Sequence, residues 1–440
     1  MDGANIIFFC LLYVLIGIVF LCFLLKKSRR FCPAYKGFMF GMFFYYIIIP
    51  IIVLLNIEEL NSIELAKGKY CTYSVQRFII DGDFWKFLYA IVIIVIGLIF
   101  FNLFYNASKK MKVREYDAKR TIKFVSFFAA VTFFVGAISL VIVFLSFGGI
   151  ESALSYAEYL RSFDSDASEL VGQNTIFMIL ARLITVTPFL LVYMIQNSFV
   201  KKRLYKAALL ISFVLAILYF LFNAGKAPLI AFIICFSYVI IRKKVKKPWM
   251  FIIIICIIAL PMLDFLDSLF YYFNSKEFTI KEINYLKYIL QFTTPYKNTL
   301  AMTDIVSEYG LRYCLDFVTA FLDFIPGLHF QASYVNTSEF IVGVNWTELG
   351  GIPNDFITFG YIEFSFIGVI ILSSILGFFL QIIDKKLSNF NDDNAKHLFS
   401  AALSIYIFLS IPSFDIISML KGGWILNIIL IIILFSSRKE

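Results

Sequence analysis

Residues 6–25 read IIFFCLLYVLIGIVFLCFLL, and residues 26–30 read KKSRR. A run of roughly 20 apolar residues is long enough for a helix to cross the hydrocarbon core of a bilayer. Basic residues directly after such a run favour the cytoplasmic side. The run lacks a basic start and a small-residue cleavage site. We therefore expect it to be retained as a membrane helix, not removed as a signal peptide.

The same pattern of apolar runs recurs along the whole chain. Of the 440 residues 61% are hydrophobic and only 16% are charged, and the mean hydropathy is +0.86. The strand-period alternation of an outer-membrane barrel is absent, so the sequence predicts an all-α polytopic membrane protein, a single membrane domain over 1–440. We predict about eleven spans, at 6–25, 37–55, 85–105, 124–147, 174–195, 207–222, 227–241, 249–263, 358–383, 397–413 and 424–436.

The net charge of +9 is explained by topology. Basic clusters follow alternate apolar runs, with sequences KKSRR, KKMKVREYDAKR, KKRLYK and RKKVKK. Because short cytoplasmic loops are rich in lysine and arginine, this pattern predicts an outside N-terminus and an inside C-terminus. The charge therefore indicates no nucleic-acid partner. The longer outer segments are then 56–84, 148–173 and 264–352.

The longest outer segment, 264–352, contains two stretches with helical spacing of apolar residues, EINYLKYILQF and CLDFVTAFLDFI. This spacing predicts short amphipathic helices that lie on the outer leaflet or cover a cavity. Loops of this length are usually functional.

Three cations near the outer side are candidates for binding an anionic ligand. Arg161 lies in the polar stretch EYLRSFDSDASELVGQN. It either grips phosphate in a bidentate way or extends to lipid phosphates at the membrane surface. Arg182 lies inside a predicted span, where an arginine is a functional candidate unless it pairs with a carboxylate; Pro188 is predicted to kink that span. Lys226, in the outer hairpin NAGKA, either joins them or lies at the interface.

The long outer loop and its end supply the remaining candidates. Lys297 and Arg312 are further cations for an anionic ligand. Three residues are candidates for accepting a proton from a hydroxyl: His329, Glu348 and Asp355. Asp355 follows Pro353 and Asn354 at the start of a span, so helix capping is the alternative for it.

Metal chemistry is the weaker alternative. Asp81–Asp83 and Asp164–Asp166 form Asp-x-Asp pairs in outer loops, a pattern that some membrane glycosyltransferases use with a divalent ion. No cysteine and histidine spacing indicates a metal site. We expect no metal and no cofactor.

These motifs together resemble the bacterial oligosaccharide repeat-unit polymerases, the O-antigen or capsule polymerase (Wzy) family. An outer loop of that family carries an arginine, about ten residues and a glycine, which Arg161 and Gly172 match. Lys226 stands where the family usually has arginine. The run GGIPNDFITFGYIEFSFIG is similar to the family's start of a late span, with Pro353 where related ligases have histidine. Arg312 departs from the family pattern, because its next glycine is Gly327.

The resemblance implies a bundle of the glycosyltransferase C type in the bacterial inner (plasma) membrane, with its active site facing the periplasm or outside. The substrates would be oligosaccharides linked to undecaprenyl diphosphate. The acceptor hydroxyl would attack the anomeric carbon of the growing glycan, and the lipid diphosphate would leave. The cations would bind that diphosphate, and a chain-length regulator is a partner that the family implies.

Two other functions remain open. A lipid-linked glycan flippase or exporter also needs charged residues and an amphipathic cavity, but its polar residues should be spread over many spans. An O-antigen ligase-type transferase differs only in its acceptor, which the sequence hardly reveals.

Overall fold

The computed structural model describes residues 3–27, 31–60, 84–107, 118–156, 176–197, 202–223, 226–241, 292–322, 332–342, 352–389 and 393–416, with single residues within 262–289 and 429–432. Every regular element in these ranges is helical. Seven helices are long and apolar enough to cross a membrane: α1 (Gly3–Lys26), α2 (Pro33–Leu55), α3 (Phe84–Ala107), α4 (Ala118–Ser146), α6 (Ile176–Gln196), α7 (Lys202–Phe222) and α12 (Phe356–Ser388).

The remaining helices are shorter: α5 (Ile150–Tyr156), α8 (Lys226–Ile241), α9 (Thr294–Tyr309), α10 (Leu315–Leu322), α11 (Ser333–Val342) and α13 (Asp393–Ser410). Nine predicted spans coincide with α1 to α4, α6 to α8, α12 and α13. The spans predicted at 249–263 and 424–436 lie almost wholly outside the described residues. The structure thus supports an all-α membrane protein.

One end of the bundle, here named the basic end, carries Lys26, Arg120, Lys202, Lys385 and Lys396. Close contact there joins helices that are distant in sequence. Asp384 accepts hydrogen bonds from the backbone N–H groups of Ala34 and Tyr35, at 2.8 and 3.0 Å, and from the Tyr105 hydroxyl at 2.6 Å. The carboxylate of α12 therefore caps the first turn of α2.

The Lys27 ammonium lies 3.7 Å from the ring centres of both Tyr35 and Tyr105. Such cation–π contacts stabilise a desolvated ammonium. They fix the connection between α1 and α2 against α3.

Small residues allow the helices to pack closely. The backbone of Gly37 in α2 lies against that of Ser404 in α13, where a Cβ would come within 2.5 Å of the Ser404 carbonyl oxygen. Gly97 in α3 contacts three side chains of α12: Ile357, Val369 and Ser373. Small residues are the usual means of close helix association in membranes, where no hydrophobic effect drives it.

Helix α12 is broken at Phe364 and Ser365, whose backbone angles are not helical. A Cβ on Gly360 would lie 3.0 Å from the Cα of Val369, nine residues later. A straight helix would separate these residues by about 13 Å. The chain therefore doubles back, so that an inner arm (356–363) lies beside a full-length arm (366–388). The predicted span at 358–383 is present, but it is not one straight helix.

The inner arm begins deep in the bundle. Its Ile357 contacts Gly97, which is about 20 Å along α3 from Phe84. Tyr361, one turn later, lies beside Tyr89, only about 8 Å from Phe84. The arm thus starts near mid-depth and rises to the end of the bundle opposite the basic end, here named the outer end.

Helix α9 also begins near mid-depth. Phe292, just before it, packs on Phe44 and Tyr45 in the middle of α2, and Tyr296 packs on Tyr13 in the middle of α1. Near its end, Asp304 forms an ion pair with Lys86 at the outer end of α3. The described part of 264–352 thus contains helices, and one of them, α9, is inserted into the bundle.

Candidate functional site

Helix α9 and the inner arm of α12 both begin at mid-depth. They meet at a group of buried polar side chains, which we name the junction. Asn298 of α9 donates from Nδ2 to the Pro353 carbonyl at 3.0 Å, and Thr299 donates to Asp355 Oδ1 at 3.5 Å. Tyr46 also donates to Asp355 Oδ1. Tyr46 lies in a π-helical turn of α2, Phe44–Ile48, and such turns are frequent at functional sites.

Asp355 is the N-cap of the inner arm. It is fully buried, and its Oδ1 accepts from the backbone N–H groups of Ile357 and Thr358 at 3.0 and 3.2 Å. Asp355 Oδ2 has no hydrogen-bond partner among the described residues. The capping alternative for Asp355 is thus confirmed, while its role as a base stays a prediction.

Asn354 connects the junction to two further segments. Its side chain donates to Ser333 Oγ at 2.9 Å and accepts from Thr337 Oγ1 at 2.6 Å, both in α11. Its carbonyl accepts from the Phe414 N–H at 2.7 Å, just beyond α13. The bonding capacity of Asn354 is used within the fold, so it positions helices.

A second group of charged side chains, the tip cluster, lies where the inner arm ends. Arg312 donates from Nε and Nη2 to Asp316 Oδ1, at 3.1 and 2.9 Å. The Ser333 N–H is 3.2 Å from both oxygens of Asp316. Glu363, the last residue before the break in α12, accepts from the Cys314 N–H at 2.6 Å. The members of the tip cluster are Arg312, Asp316 and Glu363.

Backbone bonds attach the loop 310–314 to the inner arm. The N–H groups of Arg312 and Tyr313 donate to the carbonyls of Ile362 and Glu363, both at 3.0 Å. Tyr313, Cys314 and Ser365 have positive φ angles of 51°, 65° and 57°. Such angles are unfavourable for residues with a Cβ, and they concentrate at functional sites.

Helix α10, which carries Asp316, turns its polar side inward. Asp316 and Thr319 are buried, whereas its apolar side chains Leu315, Phe317 and Val318 are exposed. The nearby Phe366 and Ile367 are exposed as well. An exposed apolar surface of this kind is suited to contact with a membrane or another protein. The tip cluster thus lies directly behind an apolar surface.

A groove of about 430 Å³ adjoins the same end of the bundle. Its lining is almost entirely apolar and comes from Trp85, Lys86, Leu88, Tyr89, Val92 and Thr303. The Tyr89 hydroxyl lies 3.2 Å from the Tyr361 hydroxyl of the inner arm. The groove therefore borders the arm that ends in the tip cluster.

The predicted site residues fall into separate places. Lys297 is 3% exposed in the first turn of α9, beside the junction. Arg312 belongs to the tip cluster. Arg182 begins a 3₁₀ turn, Arg182–Thr185, that interrupts α6 just before Pro188, and its Nε donates to the Tyr219 hydroxyl at 2.8 Å. The predicted kink is thus present, and it starts at the arginine itself.

Four further predicted site residues fall outside the described residues, wholly or by their side chains. Arg161, His329 and Glu348 lie outside the described residues, as do both Asp-x-Asp pairs, Asp81–Asp83 and Asp164–Asp166. Lys226 is the first residue of α8, but its side chain is also outside the description. Within the described ranges, no three side chains of His, Cys, Asp or Glu converge as metal ligands would.

No family model, curated protein or solved structure matches this chain. The site must therefore be interpreted from its own chemistry.

Sequence reasoning missed Glu363 and Asp316. A signal for Glu363 was present, because it is a lone acid within the apolar stretch FGYIEFSFIG. An ionisable residue inside a predicted span is a functional candidate by default. Asp316 carried no such signal, because an acid on an amphipathic helix is normally solvated.

Proposed function

We propose that the chain polymerises oligosaccharide repeat units carried on undecaprenyl diphosphate. The growing glycan is transferred from its lipid diphosphate to an incoming lipid-linked unit, at the outer face of a bacterial plasma membrane. The observation that carries this proposal is the tip cluster, a charged group placed directly behind the exposed apolar side of α10. A lipid-linked substrate reaches such a group from within the bilayer.

The arrangement of charge supports the location. The basic end carries Lys26, Arg120, Lys202, Lys385 and Lys396, so the positive-inside pattern favours the cytoplasm for this end. The tip cluster then lies at the outer leaflet, at the level where a lipid diphosphate resides. The apolar groove beside Tyr89 is suited to the hydrocarbon chain of such a lipid.

Glycan transfer requires neutralisation of the leaving group's charge more than a covalent enzyme intermediate, because the diphosphate leaves with the bonding electron pair. In this proposal Arg161, Arg182, Lys226 and Arg312 supply the positive charge. Lys297 lies deeper, in the first turn of α9 beside the junction. No metal is needed for this step.

Reconstitution tests the proposal. The purified protein, in vesicles containing lipid-linked repeat units, should produce a ladder of lipid-linked oligomers, and the ladder should persist in EDTA. Arg161→Ala should shorten or abolish it, whereas Arg203→Ala, at the start of α7 on the basic end, should not. Unextended substrate in the wild-type reaction contradicts the proposal. A single transfer to a different lipid indicates a ligase.

A flippase or exporter is the second candidate, and one observation favours it. Helix α9 and the inner arm both begin at mid-depth, and transporters build substrate sites from such discontinuous helices. A fluorescent lipid-linked glycan distinguishes the two functions. An exporter moves it from one leaflet to the other without forming a glycosidic bond.

A further inference from the structure

Glu363 is a buried acid that no capping or ion-pair role accounts for. It is 3% exposed, although it is one residue from the break in α12. Its Oε2 accepts the short bond from the Cys314 N–H. Its Oε1 has no hydrogen-bond partner among the described residues. An unpaired carboxylate oxygen away from water is costly, so its retention at this place calls for an explanation.

The other members of the tip cluster have different tasks. Asp316 is occupied on both oxygens, by the Arg312 guanidinium and the Ser333 N–H. Arg312 is paired with Asp316, and its backbone N–H is bonded to the carbonyl of Ile362, next to Glu363. Within the cluster, Glu363 Oε1 is thus the acceptor left open for a ligand's hydrogen.

The loop 310–314 lies next to Glu363, and its Cys314 N–H donates to the other carboxylate oxygen, Oε2. It is attached to the arm by backbone bonds, yet Tyr313 is 66% exposed and Cys314 is exposed too. Tyr313 and Cys314 both have backbone angles in the left-handed region, so the loop is under backbone strain. Displacing this loop would relieve that strain and open the space beside Glu363 at the outer end of the bundle.

We propose that Glu363 is the general base of the transfer reaction, which rests on the proposed polymerase function. The acceptor sugar's hydroxyl gives its proton to Glu363 Oε1 as its oxygen forms a bond to the anomeric carbon of the donor. The bond from that carbon to the diphosphate breaks, and the lipid diphosphate takes the electron pair. Arg312 stabilises the charge on the leaving diphosphate. The proton then passes from Glu363 to water.

Asp355 is less suited to this task. It comes two residues before Ile357, which lies beside Gly97, about 20 Å along α3 from its start. One of its oxygens already caps the inner arm. The structure thus separates two acids by depth, one for capping and one for proton transfer.

The test compares Glu363→Gln with two other variants in the reconstituted system. Glutamine keeps an oxygen for the Cys314 N–H, so the fold should be preserved. Removing a general base lowers a rate by roughly 10²–10⁴-fold, and we expect a loss in that range. Glu363→Asp should retain more activity than Glu363→Gln. Glu308→Gln, an exposed acid near the end of α9, should behave like wild type.

Two further readouts separate catalysis from structure. Wild-type activity should fall at acidic pH as Glu363 becomes protonated. The residual activity of Glu363→Gln should not show this fall at acidic pH. Thermal stabilisation by the lipid-linked donor should be the same in both proteins.

A Glu363→Gln protein whose transfer rate is within threefold of the wild-type rate overturns the role of Glu363 and leaves the proposed polymerase function intact. Loss of donor binding also overturns it. A wild type that forms no oligomers contradicts the polymerase itself.

Discussion

Gly360 and Gly368 lie in contact across the break in α12, although they are eight residues apart. In a straight helix they would be separated by about 12 Å. A Cβ on Gly368 would overlap the Gly360 carbonyl oxygen, so only glycine fits there. This contact allows the inner arm to lie beside the full-length arm and places Glu363 at the tip between them.

Gly368→Ala should therefore destabilise the protein. The added methyl group meets backbone, which cannot move aside as a side chain would, and overpacking of this kind costs about 1–3 kcal/mol. Thermal unfolding in detergent measures the effect. Gly3→Ala is the matched control, since nothing lies within 4 Å of its Cβ position. Equal melting temperatures for both variants would contradict the doubled-back arm.

Asp384→Ala should destabilise the basic end. The change leaves the N–H groups of Ala34 and Tyr35 without their cap, and each buried unsatisfied group costs about 1–3 kcal/mol. Ile375→Ala, on the lipid-facing side of the same helix, should cost much less because that side chain is largely exposed. The interpretation fails if the two variants have the same free energy of unfolding.

The bond between Arg182 and Tyr219 should contribute measurably to stability. Tyr219→Phe removes one hydrogen bond to a charged group, which is worth about 1.5–3 kcal/mol. A double-mutant cycle with Arg182→Lys should show that the two changes are coupled. Tyr205→Phe, on the same helix, is the control. Strict additivity of Arg182→Lys and Tyr219→Phe contradicts the contact.

Cys314 offers a test of topology. It is exposed at the outer end, so a membrane-impermeant maleimide should label it in intact cells. The variant used carries Cys71→Ser, because Cys71 lies in the predicted outer segment 56–84 and would otherwise be labelled too. Cys32 and Cys235 are buried and should remain unlabelled. Labelling of Cys314 only after the cells are opened would place the tip cluster in the cytoplasm and contradict the proposed orientation.

The same thiol should report on the charge of Glu363. Partial desolvation, and then the nearby Glu363 carboxylate, raise the pKa of Cys314 above its ordinary value although the residue is exposed. Less thiolate is therefore present at neutral pH, and the labelling rate should keep rising beyond the pH at which a free thiol levels off. Glu363→Gln removes the negative charge and should speed labelling near neutral pH. An unchanged rate argues against an ionised Glu363.

The broad architecture was predictable because bilayer spans are long apolar runs whose meaning does not depend on their neighbours. Pro188 also indicated an irregularity in its span, although not that the interruption begins at Arg182. The site was less predictable. Arg312 was recognised as a cation, but its partner Asp316 looked like a solvated acid on an amphipathic helix. Glu363 was hidden within a span that was expected to be straight.

The apolar runs and basic clusters of the sequence determined an all-α membrane protein, since hydrocarbon accepts only backbone that satisfies its own hydrogen bonds. Only the tertiary structure decided that α9 begins at mid-depth and that α12 doubles back. Both features depend on contacts between distant residues, such as Gly360 with Val369 and Asn298 with Pro353. Such contacts leave no periodic signal, because they are fixed by how the helices pack.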